Sequence, residues 1–282
     1  MLKNKYDFKV ILSVKNANPN GDPLSENRPR INFDGYGEIS DVCIKRKIRN
    51  RWMEMGESVF VQSNENKMDD YSSLKERAEK VLGTETLKNP DLLYEKGCNK
   101  WIDVRGFGQV FAYKGKEKDL GVSVGVRGPI SVQSAFSLDP ITIESTQITK
   151  SVNSEGDGTK KSSDTMGMKH RVSFGIYTFA GSISPQLAEK TGFDDSDTSK
   201  LKAALITLFL GDASSARPDG TMEIVKVYWW KHNNKSGQYS SAKVHRSVSL
   251  ALKPGISFPK SIEDYEIQEN LFPDLNIEIL EG

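Results

Sequence analysis

Apolar and polar residues alternate in the run DFKVILSVKNA: Phe8, Val10, Leu12 and Val14 fall on one face and Ile11 on the other, which predicts a strand over residues 7 to 14. The pattern then stops. NPNGDPLSENRPRI is Asn, Pro, Gly and charge, and no periodicity returns between Asn16 and Ile39, a long loop of the kind that is usually functional or disordered. At Ser40 or Asp41 a 3.6-residue period begins and predicts a helix to about Met55. Its apolar stripe is Ile44, Ile48 and Trp52, with Lys45, Arg46 and Arg49 on an adjoining face and Lys47 and Arg51 flanking the stripe on its other side.

Residues 56 to 100 are polar and contain one amphipathic helix, YSSLKERAEKVLG, closed by Gly83. This stretch reads as an insertion into a sheet domain. Strand character resumes in KWIDVRGFGQVFAY and VRGPISVQSAFSLDP. From Ile141 to His170 two extended arms surround NSEGDGTKKSSD, which predicts a protruding hairpin with a mobile tip, because nothing apolar between Asn153 and Asp164 anchors it. RVSFGIYTFAGSIS is a strand. DTSKLKAALITLFLG is a helix that buries Leu201, Leu205, Leu208 and Phe209. TMEIVKVYWW, AKVHRSVSLAL and DYEIQEN…NIEIL are further strands. The order predicts an α+β, ferredoxin-like β-α-β-β-α-β core with insertions, whose sheet has one open face of the kind RNA-recognition modules use.

Composition changes this picture little. Of 282 residues, 37% are hydrophobic and 27% charged, ordinary for a globular chain. Two distant cysteines make no disulfide framework and fit a reducing cytoplasm. The N-terminal apolar run, broken by Lys9, is too short for a membrane span and lacks a cleavage site. Formal charge is +1, so any attraction to nucleic acid must be local. The helix supplies it: Lys45, Arg46, Lys47, Arg49 and Arg51 lie within seven residues, with no acidic partner four residues on until Glu54. A Gly/Asn loop offering backbone N–H groups, a helix N-terminus and Lys/Arg side chains together suit phosphates. The aromatic RNA-recognition signature is absent, so binding along the strand's backbone is expected rather than base stacking on a sheet.

Other chemistry is poorly represented. His170, His232 and His245 have no metal-ligand spacing, and no C-x-x-C pair occurs, so neither metal nor cofactor is expected. RGFGQV and GVSVGVRGP match no phosphate-binding fingerprint and read as turns. Asp22, Asp34, Asp41 and Asp103 lie near the basic segments without forming a general acid/base pair.

DVCIKRKIRN following NPNGDPLSENRPRI, then DVRGFG, VRGPISVQSAFSLDPI, TMGMKH and EKTGF, resemble the backbone subunit of CRISPR Cascade complexes, the type I-C form most closely, in the superfamily of repeat-associated RNA-binding proteins. The similarity runs from about residue 5 to about residue 268. It implies a right-hand shape: an RNA-recognition-like palm (5–55, 101–140 and 172–252), helical fingers (56–100), a β-hairpin thumb (141–171) and a C-terminal extension (253–282). It also implies a non-catalytic subunit that polymerises along a CRISPR guide RNA in antiviral defence. Each thumb would kink the guide and displace one base, leaving the rest to pair with target DNA. Neighbouring copies, a large subunit, a small subunit and a guide-processing subunit at the 5′ handle would be its partners, with no membrane. Lys45, Arg46 and Arg49 fall on the guide-phosphate positions, and Asn18, Asn20 and Gly21 line the same groove. Arg105 and Arg127 are further candidates, Met166 is the candidate wedge, and Lys169 is a phosphate ligand beside it. The alternative is a metal-dependent target-RNA endonuclease, as in type III backbone subunits, with Asp22 or Asp34 as the working carboxylate.

Overall fold

The computed structural model describes residues 1–113, 122–149 and 166–282. The alternating N-terminal run becomes β1 (Tyr6–Ala17). The loop after it is not featureless: it holds β2 (Gly21–Asp22), β3 (Arg28–Pro29) and β4 (Tyr36–Ile39). The basic helix is α1 (Asp41–Glu54), with Ser40 accepting a hydrogen bond from the Cys43 N–H as its cap. Next come α2 (Leu74–Leu82), α3 (Pro90–Lys100) and α4 (Ile102–Phe107). The strands β5 (Gly108–Tyr113), β6 (Val122–Arg127), β7 (Ile130–Val132), β8 (Ala135–Pro140), β9 (Ile143–Thr149) and β10 (Met166–Ile183) follow. The remainder is α5 (Pro185–Thr191), α6 (Asp195–Ile206), β11 (Met222–Lys231), α7 (Ser241–Arg246), β12 (Val248–Leu252), β13 (Tyr265–Glu269) and β14 (Asn276–Glu281).

The main sheet runs β14-β11-β1-β10-β8-β4, with β7 and β9 also paired to β10. β1 lies between β10 and β11 and is antiparallel to both, so that Val10 faces Phe179 on one side and Val227 on the other. Phe8, Val10, Leu12 and Val14 pack against Ile44, Ile48 and Trp52 of α1 and Leu201 and Leu205 of α6. The two helices thus cover one face, as the 3.6-residue stripes require.

The second face is not open, which corrects the sequence expectation. Ile11, Ile176, Tyr228 and Trp230 are buried beneath Val244, Val248, Tyr265 and Leu275 of the C-terminal segment. The reason lies in β11: Val227 and Trp229 point into the first core while Tyr228 and Trp230 point into the other. A strand that is apolar on both faces is buried on both. The cover is pinned by Asp7, which is fully buried. His232 Nε2 donates to it at 2.8 Å, with His245 Nε2 at 3.4 Å and Lys5 Nζ at 3.2 Å. Burial alone raises the Asp7 carboxyl, but the hydrogen bond from His232, with His245, Ser241 and Lys5 close by, reverses this and holds it well below the usual carboxylate range.

Two other predicted strands are partly helical. KWIDVRGF forms the end of α3 and all of α4, because Ile102 faces the first core while Val104 faces a second one made by Phe60, Ala78, Leu93, Trp101, Phe111, Val124 and Val126. That second core draws on residues to both sides of position 100. α4 stops at Gly108, whose φ is +86°; an added Cβ would meet the Val126 carbonyl oxygen at 2.3 Å. AKVHR is α7, capped by Ser240, and only the following residues form β12. The hairpin arms pair antiparallel, Met166 opposite Thr149 down to Val172 opposite Ile143. The tip expected to be mobile lies outside the described residues. Among the described residues no helix is long and apolar enough to cross a membrane, and no His/Cys/Asp/Glu group is placed to hold a metal ion.

Candidate nucleic-acid interface

The loop after β1 is a tight, self-bonded structure. Asn16, Glu26 and Asn27 adopt left-handed backbone conformations (φ 55°, 55° and 60°), the region in which Asn is the best tolerated side chain after glycine. Asn18 Nδ2 donates to the Asn27 carbonyl at 2.6 Å, and the Asn27 N–H donates to the Asp22 carbonyl at 2.9 Å. A Cβ at Gly21 would come 1.9 Å from Asn27 Oδ1, so a larger residue there would displace the Asn27 side chain. Two anchors fix the loop to its surroundings. Asn20 Oδ1 accepts from the Ser40 N–H (3.0 Å) and hydroxyl (2.9 Å) at the start of α1, and the Asn18 N–H donates to the Ala216 carbonyl (2.9 Å).

The loop forms a ridge between two clefts. The first, about 300 Å³, lies against α1: Asn20, Gly21 and Asn27 form one wall, Arg46, Lys47 and Asn50 the floor, and Asp212, Ser214 and Arg217 the far wall. The second, about 360 Å³, lies against the β9–β10 hairpin between Asn18, Glu26 and Asn27 on one side and Ile148, Met168, Lys169 and His170 on the other. Asn27 borders both.

Of the residues expected from sequence, Asn20, Gly21 and Arg46 meet in the first cleft, and Asn18 and Lys169 in the second. Lys45 lies on α1 beside the first cleft, paired with Asp41 at 2.9 Å. Met166 is 61% exposed, two residues along the strand from Met168, with its sulfur accepting from the Gln147 amide at 3.2 Å; it is part of none of the three cores. Three cations stand elsewhere. Arg49 donates to Asp103 at 2.9 Å and lies over the Phe107 ring. Arg105 makes a two-pronged pair with Asp197 at 2.7 and 2.8 Å. Arg127 is exposed at the end of β6, outside both clefts. Of the two candidate carboxylates for cleavage, Asp22 caps the turn at Leu24 and Ser25 and pairs with Arg30 at 3.5 Å, while the Asp34 N–H donates to Asn32 Oδ1.

The expectation that the α1 charges lack partners is overturned. Lys45 pairs with Asp41, Arg46 with Glu65 (2.9 Å), Lys47 with Asp212, Arg49 with Asp103 and Arg51 with Glu54 (2.7 Å). Asp41 precedes Lys45 by one helical turn. Glu65, Asp103 and Asp212 are remote in sequence, so a search along one helix could not find them. The pairs differ in kind. Arg46 and Glu65 are 54% and 82% exposed, a pairing of little net strength. Lys47 is 5% exposed, held by Asp212 and lying over Phe209, and burial lowers its ammonium pKa.

Sequence reasoning missed Asn27, Asn50 and the Gly211–Arg217 loop. Nothing periodic marks GDASSARPDG, which reads as turn chemistry wherever it stands.

Comparison with known proteins agrees with this architecture. The family model for CRISPR-associated protein Cas7 matches residues 4–270. A CRISPR-associated protein Cas7 from Haloferax volcanii is 27% identical over 214 residues, an alignment spanning 70% of this chain and 62% of that protein's length. A chain of a CRISPR RNA-guided surveillance complex, in a pre-nicking state, shares the mixed α/β fold at a TM-score of 0.53 and 14% identity, over 90% of this chain and 84% of that one. With a family model spanning nearly its whole length, the chain belongs to the CRISPR-associated Cas7 family.

Proposed function

We propose that this chain is the RNA-binding backbone subunit of a type I-C CRISPR surveillance complex, several copies of which line one guide RNA and hold it for pairing with target DNA. The observation that carries the proposal is the pair of clefts meeting at the Asn18–Asn27 ridge. They bring a polar, glycine-containing loop, an exposed and weakly paired cation of α1 and the arms of a hairpin together around Asn27. Such a surface suits the sugar-phosphate backbone of a single strand, and among the described residues that line the two clefts there is no Phe, Tyr or Trp to stack a base. The β11-β1-β10-β8 order, with α1 and α6 on one face, supports a ferredoxin-like palm. The separate core around Phe60 and Trp101 supports fingers, and the β9–β10 pair supports a thumb.

In this reading Lys45 and Arg46 meet guide phosphates, while Arg49 and Arg105 brace the elements that carry the groove. Met166, apolar and exposed on the hairpin, is the wedge between unstacked bases, and Lys169 meets a phosphate next to it. Guide RNA, neighbouring copies and the remaining subunits of the complex are the partners, in the cytoplasm. Cleavage is left to other proteins, since Asp22 is committed to a cap and an ion pair.

The test is salt dependence. The Lys45→Ala, Arg46→Ala double variant should bind two unrelated single-stranded RNAs with equally reduced affinity. Its slope of log affinity against log salt should fall by about 0.7 for each phosphate no longer neutralised. Binding and slope equal to those of the unsubstituted chain would remove α1 from the interface.

A further inference from the structure

The far wall of the first cleft holds a cation that neither the basic helix nor its spacing announces. Arg217 comes from the loop before β11, more than 160 residues from α1 in sequence. Its Nε donates to Asp212 at 3.1 Å, and among the described residues its two terminal amino groups have no hydrogen-bond partner. The side chain is 27% exposed and lines the cleft. This is half of a guanidinium fork held in place with the other half free.

The support is rigid. The same oxygen of Asp212, Oδ2, is also held by Lys47, which is itself buried and lies over the Phe209 ring. The backbone around Arg217 is a closed turn: the Ser214 N–H donates to the Arg217 carbonyl (2.9 Å), and the Arg217 N–H donates back to the Ser214 carbonyl (3.0 Å). The Asn18 N–H fixes the turn to the ridge through the Ala216 carbonyl. Two cations against one carboxylate leave a net positive charge facing the cleft. A planar fork with paired free N–H groups matches the oxygens of a phosphodiester.

We propose that Arg217 binds one phosphodiester of the single-stranded RNA, across the cleft from Arg46, and that Asp212 and Lys47 are its positioning residues and do not themselves touch RNA. The inference rests on the proposed function and deepens it: the strand is clamped from two parts of the chain distant in sequence.

The test measures affinity and salt slope of the full chain on two unrelated single-stranded RNAs, with melting temperatures, for Arg217→Gln, Arg217→Lys and Arg46→Ala. Arg217→Gln should weaken both RNAs alike and reduce the slope by about 0.7. Arg217→Lys keeps a cation beside Asp212 and so should keep the melting temperature and the slope, yet bind about tenfold more weakly for want of the fork. If Arg217→Gln fails to fold, the Lys variant decides. Wild-type affinity in a folded Arg217→Lys, alongside weakened binding by Arg46→Ala, would make Arg217 a strut for Asp212 and overturn the inference while leaving the α1 reading intact. Absence of RNA binding by the unsubstituted chain would overturn both.

Discussion

Asp103→Ala is expected to destabilise the chain by about 3–5 kcal/mol, the range for removing one partner of a buried ion pair. Asp103 is 1% exposed and serves three donors: the Phe60 N–H at 2.7 Å, the Val61 N–H at 3.0 Å and Arg49 Nε at 2.9 Å. Alanine would leave the buried Phe60 N–H and a half-buried guanidinium without partners, and unmade buried hydrogen bonds cost more than made ones contribute. The carboxylate joins three pieces: α4, the segment at Phe60 that enters the second core, and α1 in the first. Asp103→Asn, which keeps an acceptor but loses the charge, should fall between wild type and alanine. Urea unfolding monitored by tryptophan fluorescence reads the difference, and a loss below about 1 kcal/mol for alanine would remove Asp103 from this role.

Arg105→Ala is expected to cost a similar amount, again about 3–5 kcal/mol. Arg105 fills both oxygens of Asp197, which is nearly buried and also completes the capping box of α6 with Asp194. Without the arginine, Asp197 remains as an uncompensated buried charge at the start of a core helix. Arg105→Lys should recover part of the loss at most, because an ammonium cannot reproduce the two-pronged geometry. Measured where the variant is folded, the salt slope for RNA should equal that of the unsubstituted chain. A reduced slope with unchanged stability would instead return Arg105 to the interface.

These two pairs show which parts of the molecule are legible in the sequence. β1 and α1 can be read because their signals are local: alternation at Phe8 to Val14, and a stripe at Ile44, Ile48 and Trp52 under a serine cap. The Asn/Gly loop can be singled out by composition, but not its fold, because Asn18, Asn20 and Asn27 make specific bonds to one another's surroundings that composition does not encode. Cations are visible and their partners are not. Asp103, Glu65 and Asp212 reach α1 only through the tertiary fold, so a helix that looks unpaired is paired along its length. The covered sheet face is signalled by the consecutive aromatics Tyr228, Trp229 and Trp230, which serve two cores at once. The alternation of Ile102 and Val104 imitates a strand, but it reflects a helix, α4, wedged between two cores.

The central claim is that many copies of this chain hold one guide in a repeating, sequence-independent grip. It is tested most directly by assembling the purified chain on a CRISPR RNA, weighing the complexes by native mass spectrometry and probing base reactivity along the bound strand. We expect masses that rise in steps of one chain on a single RNA, and a reactivity pattern that repeats at a fixed interval whatever the guide sequence. In Met166→Ala that pattern should be altered, with the subunit's melting temperature nearly unchanged because the side chain lies exposed. One copy per RNA, or a pattern that follows sequence rather than spacing, would contradict the account.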